Sequence, residues 1–240
     1  MDCTNESEKI HKRMNLTSGF GGVSEFFTAE ELLYFFCMAY NLDNREERIE
    51  NALKQTGIFK YRKRRVSDFS SGLSRRFLIS KALLTDPEVL LLDEPTVGLD
   101  VDSAKATREL IKKMKKEGKT ILLTTHNMKE AEELCDKVAL IKEGKIIALG
   151  TFQELRKKFF PLEVLEIHCS NPSEIEKLIS GNKHVSRMEE SKDKIKIFLK
   201  NKKGIDEILR KISNSKTAIR KVNTIEPKLE HLYTKVMRNE

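Results

Sequence analysis

The chain has no tryptophan, and only 7% of its 240 residues are aromatic. It therefore offers no stripe of aromatics interleaved with basic residues on which bases could stack. Cysteine is sparse too: Cys3, Cys37, Cys135 and Cys169 lie far apart with no C-x-x-C pair. That spacing points to reduced thiols rather than a disulfide framework. His11, His126, His168, His184 and His231 are equally scattered, so no metal-ligand spacing emerges. Long apolar runs are missing as well; none approaches the ~20 residues that cross a bilayer. The opening Met1-Asp-Cys-Thr-Asn-Glu-Ser-Glu lacks the basic flank and apolar centre of a secretory signal. A cytosolic chain is expected, with any membrane connection made through a partner.

What is present is the balance of a globular protein, 39% hydrophobic and 34% charged. The length allows one large domain or two small ones. Of the net charge of +8, about +7 falls after Gly150, where lysines alternate with apolar residues. Such a surface can bind nucleic acid or an anionic membrane, or it can simply be solvated. The solvated face is the expectation, and no nucleic-acid partner is expected.

The first thirteen residues are polar and read as loose, Met14-Asn-Leu-Thr17 as a short strand, and Ser18-Gly-Phe-Gly-Gly22 as a flexible loop. Thr28-Ala-Glu-Glu31 and Asp43-Asn-Arg-Glu46 both read as capping boxes opening helices, which makes a helical subdomain over about 28–85. From Ser70 strands and helices alternate, which implies an α/β layer architecture. Val89 to Leu92 and Thr120 to Thr124 read as buried strands of a parallel sheet. Thr151-Phe-Gln-Glu154 is a third capping box, and Pro161 stops the helix that follows. Beyond it the order β-α-β-β-α-β predicts a ferredoxin-like α+β domain, followed by a last helix from Pro227. The predicted domains are 1–156 and 162–240.

Three motifs carry chemistry. In Leu90-Leu-Leu-Asp93-Glu94-Pro95 a carboxylate pair ends an apolar strand, where open α/β sheets bind ligands. Asp93 there could hold Mg2+ through water, and Glu94 could orient or deprotonate an attacking water; the plainer alternative is two carboxylates that cap the next segment. Ser70-Ser71-Gly72 opens a helix bearing Arg75 and Arg76. It could receive an anion on its N-terminal amides, or Ser70 could be an ordinary N-cap. Thr124-Thr125-His126 ends the next strand, where a histidine could touch a terminal phosphate oxygen.

Together, Ser70-Ser-Gly-Leu-Ser-Arg-Arg76, Leu90 to Glu94, Gly98-Leu-Asp100 and Thr125-His126 resemble, in order and separation, the signature motif, Walker B strand, D-loop and switch histidine of ABC transporter ATP-binding subunits. The ending Ile225-Glu-Pro-Lys-Leu-Glu-His-Leu resembles that of the export-type members. The resemblance implies a P-loop NTPase-type parallel sheet, with ATP and Mg2+ as cofactors. It implies two partners, a second ABC ATPase subunit and a transmembrane permease, and so a peripheral location at the inner face of the cell membrane. It assigns Asp93, Glu94 and His126 to ATP bound in cis, Ser70, Ser71 and Gly72 to ATP held by the partner subunit, and Asp100 to coupling the two sites.

The sequence departs from that pattern in three places. Its eleven glycines never form a G-x-x-x-x-G-K-[ST] phosphate loop. Gly118-Lys-Thr120 is a decoy, because it leads into a strand and Lys113 stands where the first glycine should be. The Q-loop glutamine is also absent, its place falling roughly at Gly19, and Ser71 stands where glycine is usual. The first expectation is the carboxyl part of an export ABC ATPase whose phosphate loop is encoded just upstream of Met1. The alternatives are a complete but degenerate subunit that lends its signature helix to a partner, or a basic interaction module with no role in transport. Without the strand and helix of a phosphate loop, exposed apolar surface and poor solubility are expected.

Overall fold

A computed structural model describes Glu6, Ile10 and residues 13–17, 26–215 and 217–238. The Ser18–Gly22 loop, the Q-loop position at Gly19 and most of the polar N-terminal stretch lie outside the described residues. The chain forms two compact units, Met1–Leu134 and Cys135–Glu240. The parting at Leu134 falls more than twenty residues before the linker expected near 156–162.

The first unit is built on three parallel strands in the order β1 (Met14–Thr17), β2 (Val89–Asp93) and β3 (Thr120–Thr124). Their register sets Leu16, Leu91 and Leu122 in one row and Asp93 opposite Thr124. Between β1 and β2 come α1 (Ala29–Ala39), α2 (Arg45–Gln55) and α3 (Ser71–Leu83); α4 (Val101–Lys116) and α5 (Met128–Leu134) flank β3. The Thr28 capping box forms as predicted, with Glu31 returning to the Thr28 amide at 2.9 Å. The second box does not form. Asn44, not Asp43, precedes α2, and its left-handed φ of +50° departs from the extended backbone that aims a capping oxygen.

Leu33, Leu53, Ile58, Phe77, Leu90 and Leu92 are fully buried where α3 packs on β1 and where α1 and α2 pack on α3. Burying a side chain of this size contributes about 1.5–3 kcal/mol. At the end of α2 the Thr56 hydroxyl lies 2.6 Å from that of Ser80 on α3, and both are buried. Arg48 of α2 donates to the Leu84 carbonyl at 3.0 Å. The signature-like helix α3 is thus fixed along its length, not only at its capped start.

The opposite sheet face corrects the reading of β2 and β3 as strands buried on both faces. Leu16 is 52% exposed and Leu122 65% exposed, because no described helix covers their row. A contiguous apolar row of this kind promotes association. Leu122→Lys is expected to raise soluble yield and lower concentration-dependent light scattering, with the melting temperature nearly unchanged. Equal scattering by the two proteins would show that this row does not drive association.

The second unit opens with the hairpin of β4 (Val138–Lys142) and β5 (Lys145–Gly150), turning at Glu143–Gly144 with positive φ at both residues. That pair of left-handed residues matches the strand twist in a two-residue turn. After α6 (Phe152–Phe159), with its capping box in place, come β6 (Glu163–Cys169), α7 (Pro172–Ile179), β7 (Val185–Ser191), β8 (Lys194–Leu199), α8 (Lys203–Ser213) and β9 (Ile219–Ile225). Their antiparallel sheet has the order β7-β8-β6-β9, the split βαβ arrangement expected from the sequence. Its core includes Leu165, Ile167, Ile195, Ile197, Ile208 and Ile212. A final helix, α9 (Leu229–Arg238), is tied to the start of the unit by Lys142 Nζ, which donates to the Met237 carbonyl at 2.8 Å. Among the described residues no helix is long and apolar enough to cross a membrane.

Candidate functional site

The carboxyl ends of β2 and β3 bring Asp93, Glu94 and His126 together. Because Asp93 pairs with Thr124 in the parallel register, the Thr124 hydroxyl reaches across and donates to Asp93 Oδ1 at 2.5 Å. The Glu94 amide donates to the Thr124 carbonyl at 3.1 Å and lies 3.2 Å from its hydroxyl oxygen. Glu94 takes a left-handed φ of +46°, an unfavourable conformation for a residue other than glycine that costs on the order of 1–2 kcal/mol. Strain of this kind persists where surrounding bonds enforce it, commonly at functional sites.

The turn aims the Glu94 side chain at His126, whose Nδ1–H donates to Glu94 Oε1 at 2.9 Å. Nε2 is then the ring nitrogen left to meet another group. Glu94 Oε2 is buried and has no hydrogen-bond partner. An orphaned carboxylate oxygen in such a place calls for a water or ligand that satisfies it. The His126 side chain is 77% exposed, so the cluster opens to solvent on the histidine side.

Thr124 is the member of the cluster whose role the sequence did not disclose. Its signal was the register itself: once β2 and β3 are set side by side, the residue opposite Asp93 must sit between the carboxylates and the histidine loop. Asn127 completes that loop by accepting from the amides of Lys129 and Glu130 at the start of α5.

A second group gathers at the N-termini of α3 and α4. Ser70 caps α3, accepting from the Leu73 amide at 3.4 Å, and both Ser70 and Ser71 are exposed. Gly72 is buried. A Cβ there would stand 2.5 Å from Ser103 Oγ and 2.8 Å from Ser103 Cβ, so glycine permits the close approach of α4. Asp100 caps α4, accepting from the Ser103 amide at 2.9 Å. Hydrogen bonds from Ser103, chiefly that backbone amide, hold the Asp100 carboxyl below its usual range.

A depressed carboxylate pKa stabilises the fold above the unfolded-state pKa, and this contribution disappears as pH falls through the folded value. Asp100→Asn is therefore expected to lower the melting temperature more at pH 7 than at pH 3. Equal shifts at both values would contradict the charged cap.

Lys119 of the decoy Gly118-Lys-Thr120 donates to Asp86 Oδ1 at 2.8 Å and to the Pro87 carbonyl at 3.0 Å. Gly118 turns the chain at φ +92°, and Thr120 begins β3. The tripeptide anchors a strand and forms no phosphate cradle.

The profile of the ABC transporter family matches residues 2–97. The Nod factor export ATP-binding protein I of Rhizobium johnstonii is 31% identical over 230 residues, an alignment covering 95% of this chain and 72% of that protein. The chain belongs to the ABC transporter ATP-binding subunit family. This ABC subunit is also 38% identical over 157 residues to the ABC transporter ATP-binding protein NatA of Bacillus subtilis, covering 64% of each chain. Among solved structures, an ATP-binding subunit of an ABC transporter is similar with a TM-score of 0.57 and 28% identity, over 66% of this chain and 67% of that one. The cbiO1 protein of Clostridium perfringens, part of the ABC transporter complex cbiONQ, gives a TM-score of 0.54 at 29% identity, over 62% and 61%. The ABC chain thus spans less than two thirds of NatA, one of its curated relatives.

Membership implies ATP as the nucleotide, with Mg2+ its usual companion. The residues of this ABC subunit fit that pair on chemical grounds. Asp93 is a hard oxygen donor exposed at a strand end, and Glu94 Oε2 is an acceptor without a partner. Among the described residues no group of three or more His, Cys, Asp and Glu is arranged to hold a metal ion by itself. Magnesium that keeps its waters and binds phosphate oxygens needs no such cage.

Proposed function

We propose that the chain is the ATP-hydrolysing component of an ABC transporter that energises export through a membrane-embedded permease. It acts on ATP whose phosphates rest on a loop supplied from outside these 240 residues. The observation that carries this reading is the Glu94–His126 contact, with Glu94 Oε2 buried and unpartnered, at the carboxyl ends of adjacent parallel strands.

Glu94 holds and deprotonates the attacking water through Oε2, while Oε1 stays on His126. His126 Nε2 meets the terminal phosphate oxygen. Asp93, its carboxylate held by the Thr124 hydroxyl, would hold Mg2+ through water. When bound, that ion neutralises charge developing on the phosphates. Ser70, Ser71 and the amides of the first turn of α3 face ATP on a second ABC subunit, where the helix dipole favours phosphate. Asp100 links the two sites.

Support for the membrane partner comes from the outer surface of the helical subdomain. Phe35 and Met38, one turn apart on α1, are 58% and 48% exposed, and Phe26 just before the helix is 81% exposed, apolar side chains suited to a permease loop. Export, rather than uptake, is supported by the similarity to Nod factor export ATP-binding proteins and by the chain's own ending. Peripheral attachment at the inner membrane face follows from the permease. In this reading the nucleotide-facing part lies within 1–156, and the ferredoxin-like part, 162–240, is an accessory domain.

A chimaera tests the reading. The strand, phosphate loop and following helix of NatA are fused ahead of Met14, and MgATP hydrolysis is measured against the unfused chain. The chimaera is expected to hydrolyse ATP and the unfused chain to be inactive. Hydrolysis by the unfused chain alone, or a folded chimaera without activity, would overturn it.

A further inference from the structure

The start of α3 and the start of α4 meet at one point, and the residues there are unequal partners. Gly72 is in the first turn of α3 and Ser103 in the first turn of α4, with a virtual Gly72 Cβ only 2.5 Å from Ser103 Oγ. The separations to Ser103 Cβ and Cα are 2.8 and 4.0 Å. The approach is therefore limited by the Ser103 side chain and not by its backbone. Ser103 cannot yield easily. Its amide donates to Asp100 Oδ1 at 2.9 Å, and its carbonyl accepts from the Thr107 hydroxyl at 2.9 Å, Thr107 being fully buried. Gly72 has an ordinary helical backbone, since its φ is not among the positive values, so backbone conformation does not explain the glycine.

We propose that Ser103 is a positioning residue that locks the Ser70–Gly72 end of α3 to the Asp100 end of α4, and that position 72 is glycine because of this contact. The two helix starts then move as one wedge: a displacement at Asp100 is delivered to Ser70 through Ser103 and Gly72, without passing through the sheet. The value of that coupling to nucleotide chemistry rests on the reading under Proposed function. The contact itself does not, and it is tested without nucleotide.

In the full chain, Gly72→Ala places a methyl group against Ser103 and is expected to lower the melting temperature by roughly 5 °C. Ser103→Ala removes Oγ but leaves Cβ, so it should restore only part of the loss. Gly72→Ala with Ser103→Gly should melt close to the Ser103→Gly single variant. If Gly72→Ala does not fold, recovery of a soluble, cooperatively melting double variant supports the contact, and its failure to fold counts against it. Coupling is read separately by amide hydrogen exchange. Asp100→Ala is expected to speed exchange of the Leu73 amide, a group it does not touch, by about tenfold or more. The effect should vanish in the Ser103→Gly background. A Gly72→Ala melt equal to that of the natural chain, no gain from Ser103→Gly, or a Leu73 response that ignores Ser103 would each overturn the proposal. An inactive NatA chimaera would overturn the ATPase reading and leave these outcomes untouched.

Discussion

Glu94→Gln, made in the NatA chimaera, is expected to lower kcat for ATP by about 10^2 to 10^4-fold, the range a positioned general base contributes. Glutamine is nearly isosteric and its amide oxygen can still accept from His126 Nδ1, so the contact at 2.9 Å survives the change. What disappears is the negative oxygen at the unpartnered Oε2 position, the buried atom of the cluster that no hydrogen bond satisfies. KM for ATP should move little, because the loss falls on the reacting water and not on nucleotide binding. His126→Ala gives the complementary case, removing the group that holds Oε1 and leaving the carboxylate charged. The double variant should cost less than the product of the two single effects, since the residues act through one contact. A Glu94→Gln chimaera retaining more than about a tenth of the activity would remove Glu94 from the base role.

The site was legible in unequal parts, for physical reasons. Asp93 and Glu94 could be read because an apolar run ending in two carboxylates marks a strand end facing a ligand. His126 could be placed one strand later by counting elements. Their convergence required the β2–β3 register, which a single sequence does not contain. The same register revealed Thr124 as the residue that ties the Asp93 carboxylate to the Glu94 backbone amide. The left-handed backbone of Glu94 left no trace in residue type, since glutamate is not a residue that favours it.

At position 72 the sequence suggested one cause and the structure adds another. A small residue before a basic helix reads as a place where backbone amides meet an anion. The steric limit at Ser103, 31 positions away, could be recognised only once α3 and α4 were packed. The failed capping box at Asp43 has a related origin. The spacing was right, but the left-handed backbone at Asn41 and Asn44 turned the chain before the acid could cap. β3 was misjudged because an apolar strand is read as buried on both faces. Composition tells which side chains prefer burial, and the packing decides which achieve it, as the exposure of Leu122 shows.

Phe77→Ala is expected to have the largest effect on stability. Phe77 is fully buried on α3, with its ring edge-on to Phe69 at 6.1 Å between centroids. Truncating a buried phenylalanine costs about 3–5 kcal/mol, the lost aromatic contact being part of that total. Set against a typical domain stability of about 5–15 kcal/mol, the variant should melt roughly 6–20 °C lower. Phe77→Leu refills most of the volume and should recover over half of the loss, which separates a cavity effect from a need for the ring itself. The consequence for function follows from position. Phe77 lies on the helix whose first turn carries Ser70, Ser71 and Gly72. Weakening its packing therefore loosens the face proposed to close over a partner's ATP, while Asp93, Glu94 and His126 keep their own strand-end contacts. Amide exchange should accelerate along α3 well before the bonds between β2 and β3 open. A melt within about 1 kcal/mol of the natural chain, or exchange rising equally in α3 and the sheet, would show that Phe77 is not the anchor of this helix.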